Sequence, residues 1–489
     1  MTRTVAIVGG GFGGVGAAIR LTQQGYDVVA FEKAPRLGGV WHHNEYPGAA
    51  CDIASHLYEF SFAPNPDWSR RFAPQAEIQA YIEDVAERFG VASKIRLNTE
   101  VLAASWDGSQ WVLTTSAGEH RADVLVTACG QLQTPSVPPI PGLESFAGPS
   151  FHTARWQQDA VLDGKRVGVV GSGCSAIQVV PAIQPTVGHL NVFQRSPGWT
   201  LPKGDRPYTS AQQRRFRRFP VLQRLSRKSL YWQQEVFTLA MTRYSLLRKM
   251  VTPVSKRQIT KAIADPALRA KVMPTDEIGC KRIMLTDAWY PALTQPNVDV
   301  VTERIREVVP DGIVTADGAH HPLDVLVLAT GFKSHDFVAP MEITGVGGRP
   351  LSEEWAEVAR AYLGMSVPGF PNMFLLYGPN TNGGTGSVVV TLESCIEHVV
   401  AALGQMDQRR ASTIQVTRQA AEEFDIELKA ALAKTVWHTG CHNWYVDESG
   451  HDPNQWPWQW SRFRRRTAAL EPGACFSAMM AEGWPSTSE

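Results

Sequence analysis

The sequence predicts an α/β protein with two Rossmann-like dinucleotide-binding domains and a helical insertion. Three observations carry this prediction: a glycine-rich turn next to the N-terminus, a second such turn beyond residue 160, and a long basic stretch after it. At 489 residues the chain is too long for one compact core, so more than one domain is expected.

The first glycine-rich turn follows a short apolar run, Val5 to Val8, which is typical of a buried parallel strand. Gly9, Gly11 and Gly14 form a GxGxxG pattern, and a helix and a second strand ending at Glu32 follow. The glycines let the backbone approach a pyrophosphate, and the helix N-terminus stabilises its charge. A carboxylate at the end of the second strand accepts hydrogen bonds from a ribose diol. This order of elements predicts a dinucleotide with a free 2′-hydroxyl, as in FAD.

The second turn has the pattern GxGxxA, from Gly171 to Ala176, again after an apolar strand. The position that corresponds to the acid of the first copy is Gln194, and Arg195 follows it. An acid there would repel a 2′-phosphate, whereas an arginine pairs with it. The second site therefore suits NADPH better than NADH. The alternative is that Arg195 only faces solvent.

Two dinucleotide sites in one chain indicate hydride transfer from a nicotinamide to a flavin, which occurs in reductases, oxidases and monooxygenases. The formal net charge is zero, with 19% charged and 44% hydrophobic residues, so nothing points to a nucleic-acid partner. The seven cysteines have no CxxC or zinc-ligand spacing. We therefore expect no disulfide framework, no structural metal and no redox dithiol.

The beginning of the chain bears on its location. The sequence enters a strand within a few residues of Met1, which leaves no room for a signal peptide. No uninterrupted apolar run approaches the roughly 20 residues of a membrane span. We expect a cytoplasmic protein without stable membrane insertion; its oligomeric state is not predicted.

The stretch FAGPSFHTARW resembles the FxGxxxHxxxW fingerprint of Baeyer–Villiger monooxygenases through Phe146, Gly148, His152 and Trp156. The family pattern continues with Pro or Asp, where this chain has Gln157. The related N- and S-oxidising flavin monooxygenases usually carry Phe or Tyr at the position of Trp156. The resemblance implies a joint between the two nucleotide domains, in which the histidine positions the domains and does no acid–base chemistry.

Two further segments resemble the same family. GGVWHHNEYPGAACD matches GGxWxxxxYPGxxxD and ends at Asp52, a carboxylate in an otherwise uncharged stretch. If it is buried, such a group needs a partner. Lys281 and Arg282 align with the family's Lys-Arg pair, in which the lysine helps to hold the 2′-phosphate and the arginine is catalytic. We therefore expect Asp52 to pair with Arg282, and both are candidate catalytic residues.

The turns and the resemblance together predict two sets of binding residues. The set for FAD is Gly9, Gly11, Phe12, Gly13, Gly14, Glu32, Lys33, Gly39, Val40, Trp41, Asp52, Tyr58, Val101 and Asn380. The set for NADP is Gly171, Ser172, Gly173, Ser175, Ala176, Gln178, Arg195, Ser196, Lys281, Arg282 and Trp444. The last of these belongs to a late loop, residues 442–458, that in the family folds over bound NADP.

The predicted domain organisation is discontinuous. Residues 1–145 with 335–489 form the FAD-binding domain, 146–157 the fingerprint linker, 158–204 with 277–334 the NADPH-binding domain, and 205–276 the helical insertion. The insertion contains many arginines interleaved with apolar residues at helical spacing. We expect a solvated basic face above a buried apolar one; contact with an anionic membrane surface is the alternative.

The resemblance also implies the reaction. NADPH reduces FAD, dioxygen gives a C4a-peroxyflavin, and this attacks a small-molecule ketone to yield an ester or lactone. Arg282 would stabilise the anion and Asp52 would orient Arg282. The alternatives are an N- or S-oxidising flavin monooxygenase, a pyridine-nucleotide reductase or oxidase without oxygen insertion, and a non-catalytic flavin-binding redox sensor. Residue identities do not fix which ketone is used.

Overall fold

The computed structural model describes residues 2–441, 443–447, 449–471 and 473–478. Its strands are β1 Thr4–Val8, β2 Asp27–Phe31, β3 Ile95–Arg96, β4 Val101–Trp106, β5 Trp111–Thr115, β6 Gly118–Ala122, β7 Val124–Thr127, β8 Ser150–His152, β9 Arg166–Val170, β10 His189–Phe193, β11 Thr200–Leu201, β12 Met284–Leu285, β13 Val298–Val301, β14 Ile305–Val309, β15 Gly312–Thr315, β16 His320–Pro322, β17 Val325–Leu328, β18 Glu342–Thr344, β19 Met373–Leu375, β20 Thr413–Val416 and β21 Cys475–Ala478.

The helices lie between and after these strands. They are α1 Phe12–Gln23, α2 Val40–His43, α3 Gln75–Arg88, α4 Ala176–Ile183, α5 Ser210–Arg218, α6 Pro220–Thr242, α7 Ser245–Ala262, α8 Pro266–Val272, α9 Trp289–Leu293, α10 Leu351–Glu354, α11 Val388–Gln408, α12 Arg418–Leu432 and α13 Trp460–Thr467. Of the predicted FAD-binding domain, residues 479–489 lie outside the described residues, and so do His442 and Glu448 of the late loop.

The first parallel sheet has the strand order β19-β7-β1-β2-β3. Its central strand β1 is apolar and buried, as a strand between two parallel neighbours requires. Strand β19 comes from far along the chain and pairs in parallel with β7. The first glycine-rich turn connects β1 to α1, so the turn lies at the carboxyl end of this sheet.

The second parallel sheet has the order β13-β10-β9-β17-β8. The second glycine-rich turn follows β9, and Phe151 and His152 of the fingerprint lie in the edge strand β8, paired with β17. The two parallel sheets, flanked by helices, confirm the predicted α/β fold with two Rossmann-like units. The exact domain limits stay a prediction.

Helix α11 is the one described helix that is long and apolar enough, by length and composition, to cross a membrane. Most of it is buried: Val389, Cys395, Val399 and Leu403 are at most 1% exposed and belong to the largest hydrophobic core. It packs against α1, where a Cβ on Gly16 would approach Ile396. The apolar composition of α11 is therefore explained by its place in the core.

Helices α5 to α8 occupy the predicted helical insertion. In α6 the expected buried apolar side is present in part, because Leu230 and Phe237 pack on the largest core and Met241 is 2% exposed. The polar residues Gln223, Glu235 and Thr238 of α6 are buried, whereas Leu225 and Trp232 are 57% and 51% exposed. The sequence did not predict that a further apolar stripe of α6 faces solvent, because polar partners on the first domain draw polar side chains of this helix inward.

Candidate active site

A single continuous cavity of about 1590 Å³ connects the two glycine-rich turns. Gly9 and Gly11 line one end, Gly171 and Gly173 line the other, and Arg282 lies between them. Sites for one small ligand measure about 300 to 1,000 Å³. The cavity, hereafter the cleft, is therefore large enough for more than one ligand.

The first turn has the geometry that a bound pyrophosphate requires. Gly9 has a φ of +115°, and a Cβ there would collide with the carbonyl oxygen of Ala128. The buried carboxylate of Glu32 accepts hydrogen bonds from the backbone N–H of Gly10 (2.6 Å) and of Ala34 (2.8 Å). These bonds hold Glu32 against the turn at the edge of the cleft, where the ribose of an adenosine would bind.

Aromatic side chains cover the next part of the cleft. The indole N–H of Trp41 donates to the hydroxyl oxygen of Tyr58 at 3.1 Å, and their rings meet edge to face. Phe12, at the first position of α1, packs edge to face on Tyr58. Gly39 has a φ of +57° and lies close to Gly11, so backbone and flat rings together form a wall without charge. Such a wall fits the isoalloxazine ring of a flavin.

The second turn is tied to the first domain by Gln178 of α4. Tyr46 donates its hydroxyl hydrogen to Gln178 Oε1 at 2.9 Å, and Gln178 Nε2 donates to the carbonyl of Ala50 at 2.9 Å. A Cβ on Gly48 would collide with the backbone carbonyl of Gln178, so the loop can approach α4 this closely only with glycine there. Hydrogen bonds thus join the loop after α2 to the helix that follows the second turn.

Asp52 and Arg282 form an ion pair inside the cleft, with 2.7 Å between Oδ2 and Nη2. Their side chains are 23% and 28% exposed. Burial alone would raise the pKa of Asp52, but the charge and hydrogen bond of Arg282 outweigh it and hold the pKa below its usual value. Asp52 in turn raises the pKa of Arg282 well above its ordinary value. The guanidinium is therefore a fixed cation with no proton to release.

Three other side chains surround Arg282, and the sequence did not indicate them. The thiol of Cys174 lines the cleft with Arg282; desolvation raises the pKa of this thiol although the charge of Arg282 lowers it. Burial raises the pKa of Tyr377 to about 12, against the effect of Arg282. Tyr445 is fully buried, and its hydroxyl has no hydrogen-bond partner among the described residues. Only tertiary contact brings these three positions to Arg282.

A second cationic group lies at the NADP end of the cleft. Lys281 Nζ contacts Asp276 at 2.6 Å and Ser196 Oγ at 3.2 Å. Ser196 and the exposed Arg195 follow β10 and line the cleft, and Ser172 Oγ donates to the Ser196 carbonyl. The structure thus brings together Arg195, Ser196 and Lys281. This donor set fits a 2′-phosphate.

Most predicted binding residues line the cleft. Those from the FAD set are Gly9, Gly11, Phe12, Gly13, Glu32, Lys33, Gly39, Val40, Trp41, Asp52, Tyr58 and Val101. Those from the NADP set are Gly171, Ser172, Gly173, Ser175, Gln178, Arg195, Ser196, Arg282 and Trp444. The residues that do not line it are Gly14, Ala176, Lys281 and Asn380. Gly14 and Ala176 instead allow each helix to pack closely on its turn and sheet.

The structure does not bring the side chain of Asn380 into the cleft. Its amide donates to the carbonyls of Asp452 and Gln455 at 2.7 and 3.1 Å, and its own N–H bonds to the carbonyl of Pro453. The neighbouring residues Thr381 and Asn382 line the cleft instead. Asn380 has a φ of +56°, so its side chain turns toward the late loop and anchors that loop.

The expectation about cysteines needs a correction. Among the described residues one disulfide is present, between Cys280 and Cys441, 161 positions apart. Cys280 immediately precedes Lys281 and Arg282, and Cys441 begins the segment that carries Trp444. No sequence spacing could reveal this pair, because the fold alone brings the two segments together.

The fingerprint residues pack around the second sheet, and their role as a joint between the two nucleotide domains stays a prediction. A Cβ on Gly148 would collide with the carbonyl oxygen of Asp324, at the start of β17. His152 Nδ1 accepts from the Ala154 N–H at 3.1 Å. Trp156 packs edge to face on Phe151, and Phe146 is buried in a core beneath β10 and β17. All four act in packing, and none of them lines the cleft.

Comparison with known proteins identifies the class first. Residues 2–341 match the flavin-binding monooxygenase-like family. A Baeyer–Villiger monooxygenase of Streptomyces coelicolor is 42% identical over 472 residues, covering 96% of this chain and 91% of the relative. A Baeyer–Villiger monooxygenase of Pseudomonas aeruginosa is 43% identical over 476 residues, covering 96% and 90%. The chain therefore belongs to the Baeyer–Villiger monooxygenase family of flavoproteins.

A solved structure agrees with this assignment. Oxidized steroid monooxygenase bound to NADP superposes with a TM-score of 0.87 at 32% identity, covering 98% of this chain and all of the other. The predictions of family, fold class, enzyme class and the cofactors FAD and NADPH are thereby confirmed.

Proposed function

We propose that this enzyme converts a ketone to an ester or lactone with NADPH and dioxygen, and that Asp52 and Arg282 are its catalytic pair. In the balanced reaction one oxygen atom enters the bond next to the carbonyl, and the other leaves as water with the hydride of NADPH and one proton from solvent, so that NADPH becomes NADP⁺. The observation that carries the proposal is the ion pair of Asp52 with Arg282, which opens into the cleft between the two turns.

FAD would be held by the first turn and the aromatic wall. The N–H groups at the start of α1 would hold the pyrophosphate, Glu32 would bind the ribose, and Trp41 and Tyr58 would contact the ring. Bound FAD supplies the redox chemistry, because it accepts hydride from NADPH and activates dioxygen. The protein positions the reacting groups and stabilises the charge that develops on them.

Arg282 would supply a fixed positive charge where negative charge develops on oxygen. It keeps its proton because Asp52 raises its pKa, so it stabilises an anion without neutralising it. Asp52 holds the guanidinium in place through the 2.7 Å contact. The nearby apolar and aromatic groups, including buried Tyr445, exclude water and strengthen this interaction.

NADPH would bind at the second turn. Arg195 would pair with the 2′-phosphate, and Lys281, which contacts Ser196 Oγ, would add positive charge beside it. Trp444 lines the cleft and is 39% exposed, which leaves it free to cover the cofactor. The fingerprint segment would hold the two nucleotide domains in register while they move. The domain limits and the cytoplasmic location remain predictions.

The experiment that tests this proposal is a product analysis. The purified holoenzyme is given NADPH, air and a panel of cyclic, linear and aryl ketones, with matched sulfides and tertiary amines. We expect an ester or lactone in stoichiometric ratio to NADPH consumed, with little hydrogen peroxide. Oxidation of sulfides or amines alone would reject ketone oxygenation. NADPH consumption that yields only hydrogen peroxide with every substrate would reject the monooxygenase proposal.

A further inference from the structure

Helices α5, α6 and α7 concentrate positive charge on one part of the molecule. From Ser210 to Ala262 there are thirteen Lys and Arg residues and one acidic residue, Glu235, in a chain whose net charge is zero. Glu235 is 1% exposed, so it does not offset this charge at the surface. Ion pairs engage Arg217, Arg227 and Arg248. The surface of these helices is therefore strongly cationic.

The outward side of α6 is apolar as well as basic. Val221, Leu225, Trp232 and Val236 are 56%, 57%, 51% and 57% exposed. They repeat at intervals of four and seven residues, which places them in one stripe along the helix. A helix on the surface of a soluble protein normally turns its apolar stripe inward.

Polar contacts on the inward side fix α6 in this orientation. Gln223 Nε2 donates to Glu59 at 2.9 Å, and Arg227 pairs with Glu393 at 3.0 Å. Glu235 accepts a hydrogen bond from the Ser461 N–H at 2.6 Å. Because the inward side is held by specific, buried partners, the exposure of the apolar stripe is a feature of the fold.

Helix α7, which packs on α6, repeats the arrangement. Leu246, Met250 and Val254 follow each other at four-residue intervals and are 70%, 66% and 45% exposed. Beside them a shallow surface groove is lined by Lys249, Thr252, Pro253, Lys256, Arg257 and Thr260. Cations and hydroxyls in one groove are suited to phosphate oxygens.

We propose that this outward side of α5, α6 and α7, hereafter the basic apolar face, docks on the surface of an anionic phospholipid bilayer. Its apolar stripes enter the boundary between headgroups and acyl chains, and its Lys and Arg contact lipid phosphates. The attachment is peripheral, because the basic apolar face lies in the boundary between headgroups and acyl chains and does not cross the bilayer. The proposal rests on this surface alone and holds whatever ketone the enzyme oxidises.

The charge of the basic apolar face favours an anionic bilayer over other binding partners. A second copy of the chain related by a two-fold axis would bring two cationic faces together, and like charges oppose that contact. Nucleic acid would satisfy the cations, but it would leave Trp232, Val236 and Leu246 without an apolar partner. An anionic bilayer is complementary to both properties.

The test is cosedimentation of the FAD-loaded enzyme with extruded vesicles, which needs no turnover. Vesicles of pure phosphatidylcholine are compared with vesicles that contain one third phosphatidylglycerol, in low and in high salt. We expect binding to the anionic vesicles only, weakened at high salt because screening reduces the attraction. Leu246→Ser with Trp232→Ser, and separately Lys249→Glu with Lys256→Glu, should each lower the partition coefficient at least about tenfold.

Matched control variants remove similar groups elsewhere. Ile426, on α12, is 69% exposed, so Ile426→Ser matches Leu246→Ser; Lys434→Glu matches the charge reversals. Both controls should bind as the unchanged enzyme does, and FAD content checks that every variant is folded. Equal binding of the face variants and the controls would overturn the proposal. So would equal affinity for a random DNA duplex, or a dimer in solution that Leu246→Ser dissociates.

Discussion

Asp52 Oδ2 lies 2.7 Å from Arg282 Nη2, and 230 positions of chain separate the two residues. Asp52 belongs to the loop between α2 and α3, and Arg282 precedes β12 in the second half of the chain. The pair is therefore a direct electrostatic link between the FAD side and the NADP side of the cleft.

The first prediction concerns this pair. Arg282→Ala should leave FAD bound but lower ester formation by about a hundredfold or more, because the charge that stabilises the anion is gone. Arg282→Lys should restore little ester formation, because an ammonium group lacks the planar guanidinium that pairs with Asp52. The measurements are ester per NADPH consumed and FAD content. Arg121→Ala, which breaks an exposed ion pair with Asp107, is the control and should change neither ester formation nor FAD content. An Arg282→Ala enzyme with normal ester yield would remove Arg282 from the mechanism.

Cofactor choice gives the second prediction. Arg195→Ala should raise the dissociation constant of NADPH about 10- to 100-fold, because one charge-assisted contact to the 2′-phosphate is lost. NADH lacks that phosphate, so its binding should hardly change and serves as the internal control. NADP⁺ and NAD⁺ differ by the same phosphate, so titration of the oxidised enzyme with these two nucleotides, followed by flavin fluorescence, measures the same change in affinity without turnover. Equal weakening of both nucleotides would mean that another residue reads the phosphate.

The third prediction concerns the fingerprint glycine. Gly148→Ala should lower thermal stability and slow reduction of FAD by NADPH, because its Cβ would push β17 away through the carbonyl of Asp324. Gly404→Ala is a matched control: this residue lies in helix α11, and a Cβ there meets nothing within 4 Å. The control should be neutral or slightly stabilising. Stopped-flow reduction and the melting temperature are the measurements. If Gly148→Ala and Gly404→Ala had the same melting temperature and the same rate of FAD reduction, the close approach of Gly148 to the carbonyl of Asp324 would be contradicted.

Sequence patterns predicted the parts of this enzyme whose contacts are local. The turn glycines and Glu32 follow from one strand–turn–helix unit, and the resemblance supplied the pairing of Asp52 with Arg282. Cys174 and Tyr445 were missed because only the fold brings them to the guanidinium. The exposed stripe of α6 was missed for another reason. Helical spacing shows that a stripe exists, but it does not show which side meets the protein.

The fourth prediction concerns the disulfide between Cys280 and Cys441. It ties the segment that carries Trp444 to the residue before Lys281. Replacing both cysteines by alanine should loosen that segment, so that NADP⁺ binds several-fold more weakly while FAD content stays the same. Reductant added to the unchanged enzyme should reproduce the effect and should have none on the double variant. If neither the double substitution nor the reductant changed the affinity for NADP⁺, the disulfide would not be required to hold the late loop for NADP⁺ binding.

The fifth prediction concerns pH and the contact between α6 and the first domain. Glu59 is 1% exposed and accepts hydrogen bonds from Trp68, Asn65 and Gln223. Burial raises its pKa to about 7, although these donors and Arg227 lower it. Between pH 4.5 and 7 the unfolded carboxyl ionises while the folded one keeps its proton. The folded state then binds more protons, so stability falls as pH rises through this window, by about 3 kcal/mol at most.

Glu59→Gln tests this directly, because an amide does not titrate. The melting temperature of the unchanged holoenzyme should fall between pH 5 and pH 7.5, and the Glu59→Gln variant should lose most of that slope. Glu119→Gln, at an exposed position of β6, should keep the original slope. If the variant and the parent melt in parallel across this range, Glu59 is ionised throughout. In that case its three donors outweigh burial.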